Sequence, residues 1–225
     1  MNRNSVLIPV LIVLVILAVV LRFGGLAQAR DPGSQLAMPG MDVGAVESSA
    51  PPAAVTATQR LVRISQLDPA QYVSVAQYHE WSGAACSAGS LTMVLDAYGQ
   101  HFIIGQVIPL FGSSISPNGG LLNDQGLAYA ASQVHFGASL SHSRALDQVV
   151  AIANSGLPVI VDVRSADLFP AGHFMVVLGG DAHTLHLAES SSVNIQWMSR
   201  AWFASMWEGL SAVIGPPSVL ATQSL

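Results

Sequence analysis

The chain has 225 residues, a net charge of −5 and a single cysteine. Apolar residues make up 51% and charged residues only 9%, which excludes a disordered polymer. The eight basic residues are all arginines; they do not cluster and are outnumbered by 13 acids, which argues against nucleic-acid binding. One cysteine allows neither an internal disulfide nor a cysteine-rich zinc site.

The N-terminus opens with an unbroken apolar run, Val6 to Leu21, behind Arg3. It is short for a spanning helix and slightly long for a signal-peptide core. Ala27-Gln28-Ala29 supplies a small-x-small cleavage pattern. Two readings stay open for residues 1–29, a cleaved signal peptide and an uncleaved signal anchor, and the length of the run leans to the anchor. Both deliver the rest of the chain outside the cytoplasm, membrane-anchored or secreted. Residues 30–59 are rich in Pro, Gly, Ala, Ser and Thr and hold no aromatic residue. Such a segment cannot bury enough apolar area to offset chain entropy and reads as a flexible linker. One ordinary domain then remains, residues 60–225. The first 59 residues carry three arginines and three acids, so the net negative charge lies on this domain.

Within the domain, Arg60 to Ser65 reads as a short strand and Asp68 to Gln77 as a turn followed by an apolar stretch. From Cys86 the pattern turns helical. Leu91, Val94, Leu95 and Tyr98 repeat at helical spacing and Gly99 marks a stop. Gln106 to Phe111 is a short helix or turn. Leu121 to Val134 is a helix opened by the Pro117-Asn118-Gly119-Gly120 break, and Ser143 to Asn154 another, ended at Ser155-Gly156. Strands follow at Val159–Val163, Phe174–Leu178 and Thr184–Ala188, with Gly179-Gly180-Asp181 as the turn between the last two. A short helix, Ser199 to Trp207, and a strand, Leu210 to Ile214, finish the domain. Helices first and antiparallel strands later predict an α+β fold.

Cys86 lies among small residues, Gly83-Ala84-Ala85-Cys86-Ser87-Ala88-Gly89-Ser90, at the start of the clearest helix. A helix N-terminus offers free N–H groups and partial positive charge, which favour a thiolate. The alternative is a buried, inert thiol. Of the seven histidines only His173 has a distinctive setting, Pro170-Ala171-Gly172-His173-Phe174, at the mouth of an apolar strand. If the hairpin centres on Asp181, residues whose numbers sum to about 362 face each other, which sets Glu189 opposite His173. A carboxylate there can accept the imidazole N–H and fix its tautomer. His183 and His186 fall on opposite sides of a strand and do not read as a metal pair. No metal or cofactor is expected. The absence of a G-x-S-x-G elbow argues against a serine hydrolase.

These residues resemble a family. Cys86 with the following Ser-Ala-Gly-Ser-Leu-Thr-Met-Val-Leu-Asp-Ala-Tyr-Gly is similar to the nucleophile helix of papain-like cysteine peptidases of the bacteriocin-processing type, the double-glycine leader peptidases. Gly-Leu-Pro-Val-Ile-Val (156–161) resembles their central strand, and Gly172-His173-Phe174-Met-Val-Val their histidine strand, in matching order from about residue 70 onward. The resemblance implies a papain-like α+β fold with a helical lobe and a twisted antiparallel sheet. It implies Cys86 as nucleophile and His173 as general base, acting on a peptide or protein substrate. The family's third residue is an Asp or Asn; Glu189 stands in its place. The family's oxyanion glutamine, six residues before the cysteine, is Glu80 here, and a carboxylate there repels a developing oxyanion. Gln77 is the expected substitute, with the Cys86 backbone N–H as second donor. Two other readings remain open: a catalytically inactive peptide-binding domain on the same fold, and a cell-wall peptide amidase.

Overall fold

The computed structural model describes residues 54–222. The apolar run and most of the linker expected from the sequence lie outside these residues. Among the described residues no helix is long and apolar enough to cross a membrane. The order of elements is helical first and sheet later. Helices α1 (Ala57–Arg60), α2 (Val75–Trp81), α3 (Cys86–Ala97) and α4 (Ile104–Val107) come first. A 3-10 segment, a two-residue hairpin β1 (Ile115–Ser116) with β2 (Gly120–Leu121), and α5 (Gln125–Ser132) follow. Then come β3 (Gly137–Ser141), α6 (Leu146–Asn154), β4 (Val159–Ser165), β5 (Phe169–Gly180), β6 (Thr184–Ala188), β7 (Trp197–Ser199), α7 (Arg200–Met206), β8 (Trp207–Gly215) and α8 (Pro217–Leu220). The fold is α+β.

Six strands form one antiparallel sheet in the order β3-β8-β4-β5-β6-β7. Its two faces bury two apolar clusters. Ile160, Val176, Leu178, Leu210, Ala212 and Ile214 face the helical side, where α3, α4 and α5 add Leu91, Leu95, Ile104 and Leu127. Val159, Val161, Val163, Met175 and Val177 face the other side, covered by α6 and α7 through Val149, Val150, Phe203 and Met206. The alternation along β4 and β5 is the period of two that a sheet covered on both faces requires. Helix α3 is the centre of the first cluster. Ten of its twelve residues are buried, Ser87, Ser90 and Thr92 among them, so it is enclosed on nearly every side. It stops at Tyr98, followed by Gly99 at φ +89°.

Several elements differ from the sequence reading. Residues 61–65 pair with no strand; Ala57–Arg60 ahead of them is a short helix. The folded part therefore begins before Arg60, with Ala57 buried and the Thr58 amide N–H donating to the Gly156 carbonyl at 3.2 Å. Strand β5 starts five residues before Phe174 and runs for twelve residues. Strands β3 and β7 lie where none was expected.

Candidate active site

The α3 N-terminus carries Cys86 as its first helical residue, and the cap residue Ala85 has no side chain that could take its free N–H groups. Gly89, one turn on, keeps the helix close to the loop after β6: a Cβ there would stand 3.3 Å from Ser190 Oγ. Cys86 is half-buried and is the chain's one cysteine. Its thiol shares one cleft with the His173 ring. Burial pushes the thiol up. The neighbouring His173, with the backbone N–H groups of Phe174 and Ser87, outweighs burial and brings it below its ordinary value.

His173 sits on β5 opposite Val163 of β4, with its side chain only 6% exposed. Phe169, at the start of the same strand, stacks on the ring with centroids 4.4 Å apart and planes 8° from parallel. Glu189 Oε1 stands 2.6 Å from Nε2, and the glutamate side chain is wholly buried. The contact lies off the line of the ring N–H, and it is an ion pair whenever the ring is protonated. Burial pushes the imidazole down; the partners Cys86 and Glu189 reverse this and raise it to about 9. Burial also raises Glu189, but His173 and the Ser191 backbone N–H bring it down to about 2. The Ile195 N–H donates to its other oxygen at 3.3 Å.

The route by which Glu189 reaches His173 differs from the expected one. The ladder pairs Val176 with Ala188 and Val177 with Leu187, then shifts at a bulge toward Gly179–His186. Continued past Ala188, it sets Met175 opposite Glu189, and His173 one diagonal step further on the same face. Diagonal neighbours are still within reach of long side chains. The extra methylene of glutamate over aspartate fits this longer span.

Gln77 is the correction. Its carboxamide nitrogen donates to the Gly105 carbonyl at 2.9 Å, and its oxygen accepts from the Val73 N–H at 3.0 Å. Both ends of the amide are used: the nitrogen joins α2 to α4 and the oxygen holds the chain just ahead of α2. The structure brings Cys86, His173 and Glu189 together and gives Gln77 a different task. Glu80 is exposed on α2.

The cleft that holds Cys86 and His173 is also lined by Gly120, Asp124, Asp162, Arg164 and Glu208. Asp124 contacts His142 at 2.8 Å, and Arg164 lies 3.7 Å from Glu208. Burial raises Asp162 despite the Leu210 N–H that it accepts, and the charges of Asp124 and Glu208 add to the rise. Sequence reasoning missed Phe169, Asp162 and, behind the site, Gln66 and Ser190. Phe169, Asp162 and Ser190 owe their place to the bends and loops around β4, β5 and β6, Gln66 to the segment ahead of α2, and none carries a local motif.

A family model described as the peptidase C39 family matches residues 73–218, well over half of the chain. The chain belongs to the peptidase C39 family. It carries a cysteine-type peptidase domain with the papain-like α+β fold. No curated protein matches the chain significantly. Among solved structures, the C39 domain is similar to the peptidase domain of Streptococcus ComA, a bifunctional ABC transporter of a quorum-sensing pathway. The identity is 21% and the TM-score 0.54, over 69% of this chain and 98% of that one. A double-glycine motif protease from an AMS/PCAT transporter, solved with its leader peptide, shares 20% identity at a TM-score of 0.46, over 59% and 85%. The C39-like domain of a Vibrio parahaemolyticus toxin-secretion protein shares 18% at 0.45, over 58% and 96%.

Proposed function

We propose that this C39 domain is a thiol amide hydrolase using Cys86, His173 and Glu189 on peptide substrates, carried outside the cytoplasm by the N-terminal apolar segment. The observation that supports the reading best is that Cys86, at a helix start, shares a cleft with an imidazole that contacts a buried carboxylate. Glu189 holds the ring and its positive charge, so the resting pair is thiolate and imidazolium. Cys86 Sγ attacks the scissile carbonyl carbon and the carbonyl oxygen takes the charge. The Cys86 backbone N–H, free at the helix start, is positioned as one oxyanion donor. His173 gives its proton to the leaving amine nitrogen as the C–N bond breaks, which leaves a thioester. Water then attacks the thioester while His173 takes a proton from it, and the acid product and the thiolate–imidazolium pair are restored.

The test is alkylation of the single thiol by iodoacetamide across pH, together with hydrolysis of quenched-fluorescence peptides. Fast labelling well below about pH 8.5, lost in His173→Ala, is the expected result, with hydrolysis abolished by Cys86→Ala. A second reading, peptide binding without turnover, is favoured by the engagement of Gln77, which leaves no expected side-chain donor for the oxyanion. Labelling at the rate of an ordinary thiol, with no hydrolysis, selects it.

A further inference from the structure

The family match begins at residue 73. Yet the residues before it are laced into the domain at several points. Arg60 Nε donates to the Ala97 carbonyl at 2.8 Å, at the far end of α3. Gly156, at φ +101°, leaves room for Thr56: a Cβ there would stand 2.5 Å from the Thr56 Cβ. The segment then runs on to Gln66, a buried amide beside the site, 5% exposed.

Gln66 bonds in two directions. Its Nε2 donates to the Ser82 carbonyl at 2.9 Å. Its Oε1 accepts from Ser190 Oγ at 2.8 Å, and its backbone N–H donates to the Ser190 carbonyl at 2.8 Å. Tyr72 Oη closes the segment by donating to the Gln66 carbonyl at 2.6 Å. Ser82 caps α2 and opens the short loop that ends at Cys86. Ser190 follows Glu189 directly and packs against Gly89 in the first turn of α3. One buried side chain thus ties the approach to Cys86 to the loop that presents Glu189.

We propose that Gln66 is a positioning residue for the thiol–imidazole–carboxylate site, and that residues 54–72 are a working part of the peptidase although they precede the family's matched span. This rests on the reading of Cys86, His173 and Glu189 given above. Gln66 touches no reacting atom. It sets the spacing between two loops, and errors of an ångström or less in such spacing are strongly felt in rate.

The test uses the full chain with Gln66→Met, which keeps the volume and removes both side-chain bonds, and Ser190→Ala, which removes one. In folded Gln66→Met, judged by near-ultraviolet circular dichroism, iodoacetamide labelling of Cys86 at pH 6 falls about tenfold while labelling at high pH changes little. The profile moves toward that of an ordinary thiol, and kcat falls by a similar factor with KM nearly constant. Ser190→Ala moves the same way by less and decides the matter if Gln66→Met does not fold. A wild-type labelling profile in the folded variants overturns the proposal, as does a loss of thermal stability with that profile unchanged. If the wild-type chain itself labels as an ordinary thiol, the peptidase reading falls and takes the proposal with it; if only the variants match the wild type, the proposal alone falls.

Discussion

Burial by itself would make His173 a poor base, because a charged imidazole loses its hydration. Cys86 and Glu189 reverse the effect and raise it to about 9. Replacing Glu189 by Gln keeps the shape and removes one of these charges. The alkaline limb of the rate profile should then move from about 9 toward the ordinary imidazole value of about 6.5; a limb that stays in place would show that Glu189 does not act through His173. Stability follows the same pair. Glu189, held near 2, stabilises the fold above its ordinary range near 4.5 and loses that contribution as pH falls toward 2. His173 contributes below 6.5 and loses its share as pH rises through about 9. Cys86 and His173 were legible because small residues and a glycine flank them in an otherwise apolar sequence. Glu189 was reached through a register that is shifted in the structure, and the meeting survives because the shift keeps both side chains on one face. Gln77 failed for a different reason: spacing along a chain does not say what else an amide will bond.

At the scale of elements, the joint between α2 and α4 explains that failure. A Cβ on Gly105 would stand 2.2 Å from Gln77 Oε1, so the glutamine lies flat on a glycine that makes room for it. Gln77→Ala leaves the Val73 N–H and the Gly105 carbonyl without their partner. The expected cost is about 1–3 kcal/mol of stability, measured by denaturant unfolding. Its loss of kcat should stay well short of the roughly 10²–10³-fold that removing an oxyanion donor brings; a loss of that size would return Gln77 to the catalytic role. Elements with a strong period were legible: α3, α6, β4 and β6 start or stop close to where their patterns do. Strand β3 was not, because Gly137-Ala-Ser-Leu-Ser is half-buried at every position and shows no alternation. Strand β5 was cut short because Pro170-Ala171-Gly172 reads as a turn, whereas here Gly172 at φ +84° bends a strand without ending it. The β-branched positions of Arg60–Ser65 suggested a strand, but no neighbouring strand bonds to them.

For the whole molecule, fold class followed from the order of helices and strands, since a sheet buried on both faces needs helices to cover it. The boundary of the folded part was less legible, because the small residues before Arg60 have a linker's composition and only their long-range contacts show otherwise. Charge is also a property of the whole. The net −5 lies on the folded part, and Asp124, Asp162 and Glu208 bring three of its acids to the cleft around Cys86. A cationic methanethiosulfonate should therefore modify Cys86 faster than an anionic one of similar size, by about tenfold at low salt and by less at high salt. Asp124→Asn combined with Glu208→Gln should narrow the gap, and an unchanged ratio would show that the cleft field does not reach the thiol.

A chain with one sulfur of this kind has no internal way back from oxidation. The features that favour the Cys86 thiolate also favour attack on peroxide, and the sulfenic acid that forms has no second cysteine in the chain with which to close a disulfide. Its recovery then depends on a small thiol from the surroundings arriving before a second oxidation makes the loss permanent. The working lifetime of such a domain is set as much by the redox chemistry around it as by the durability of its fold.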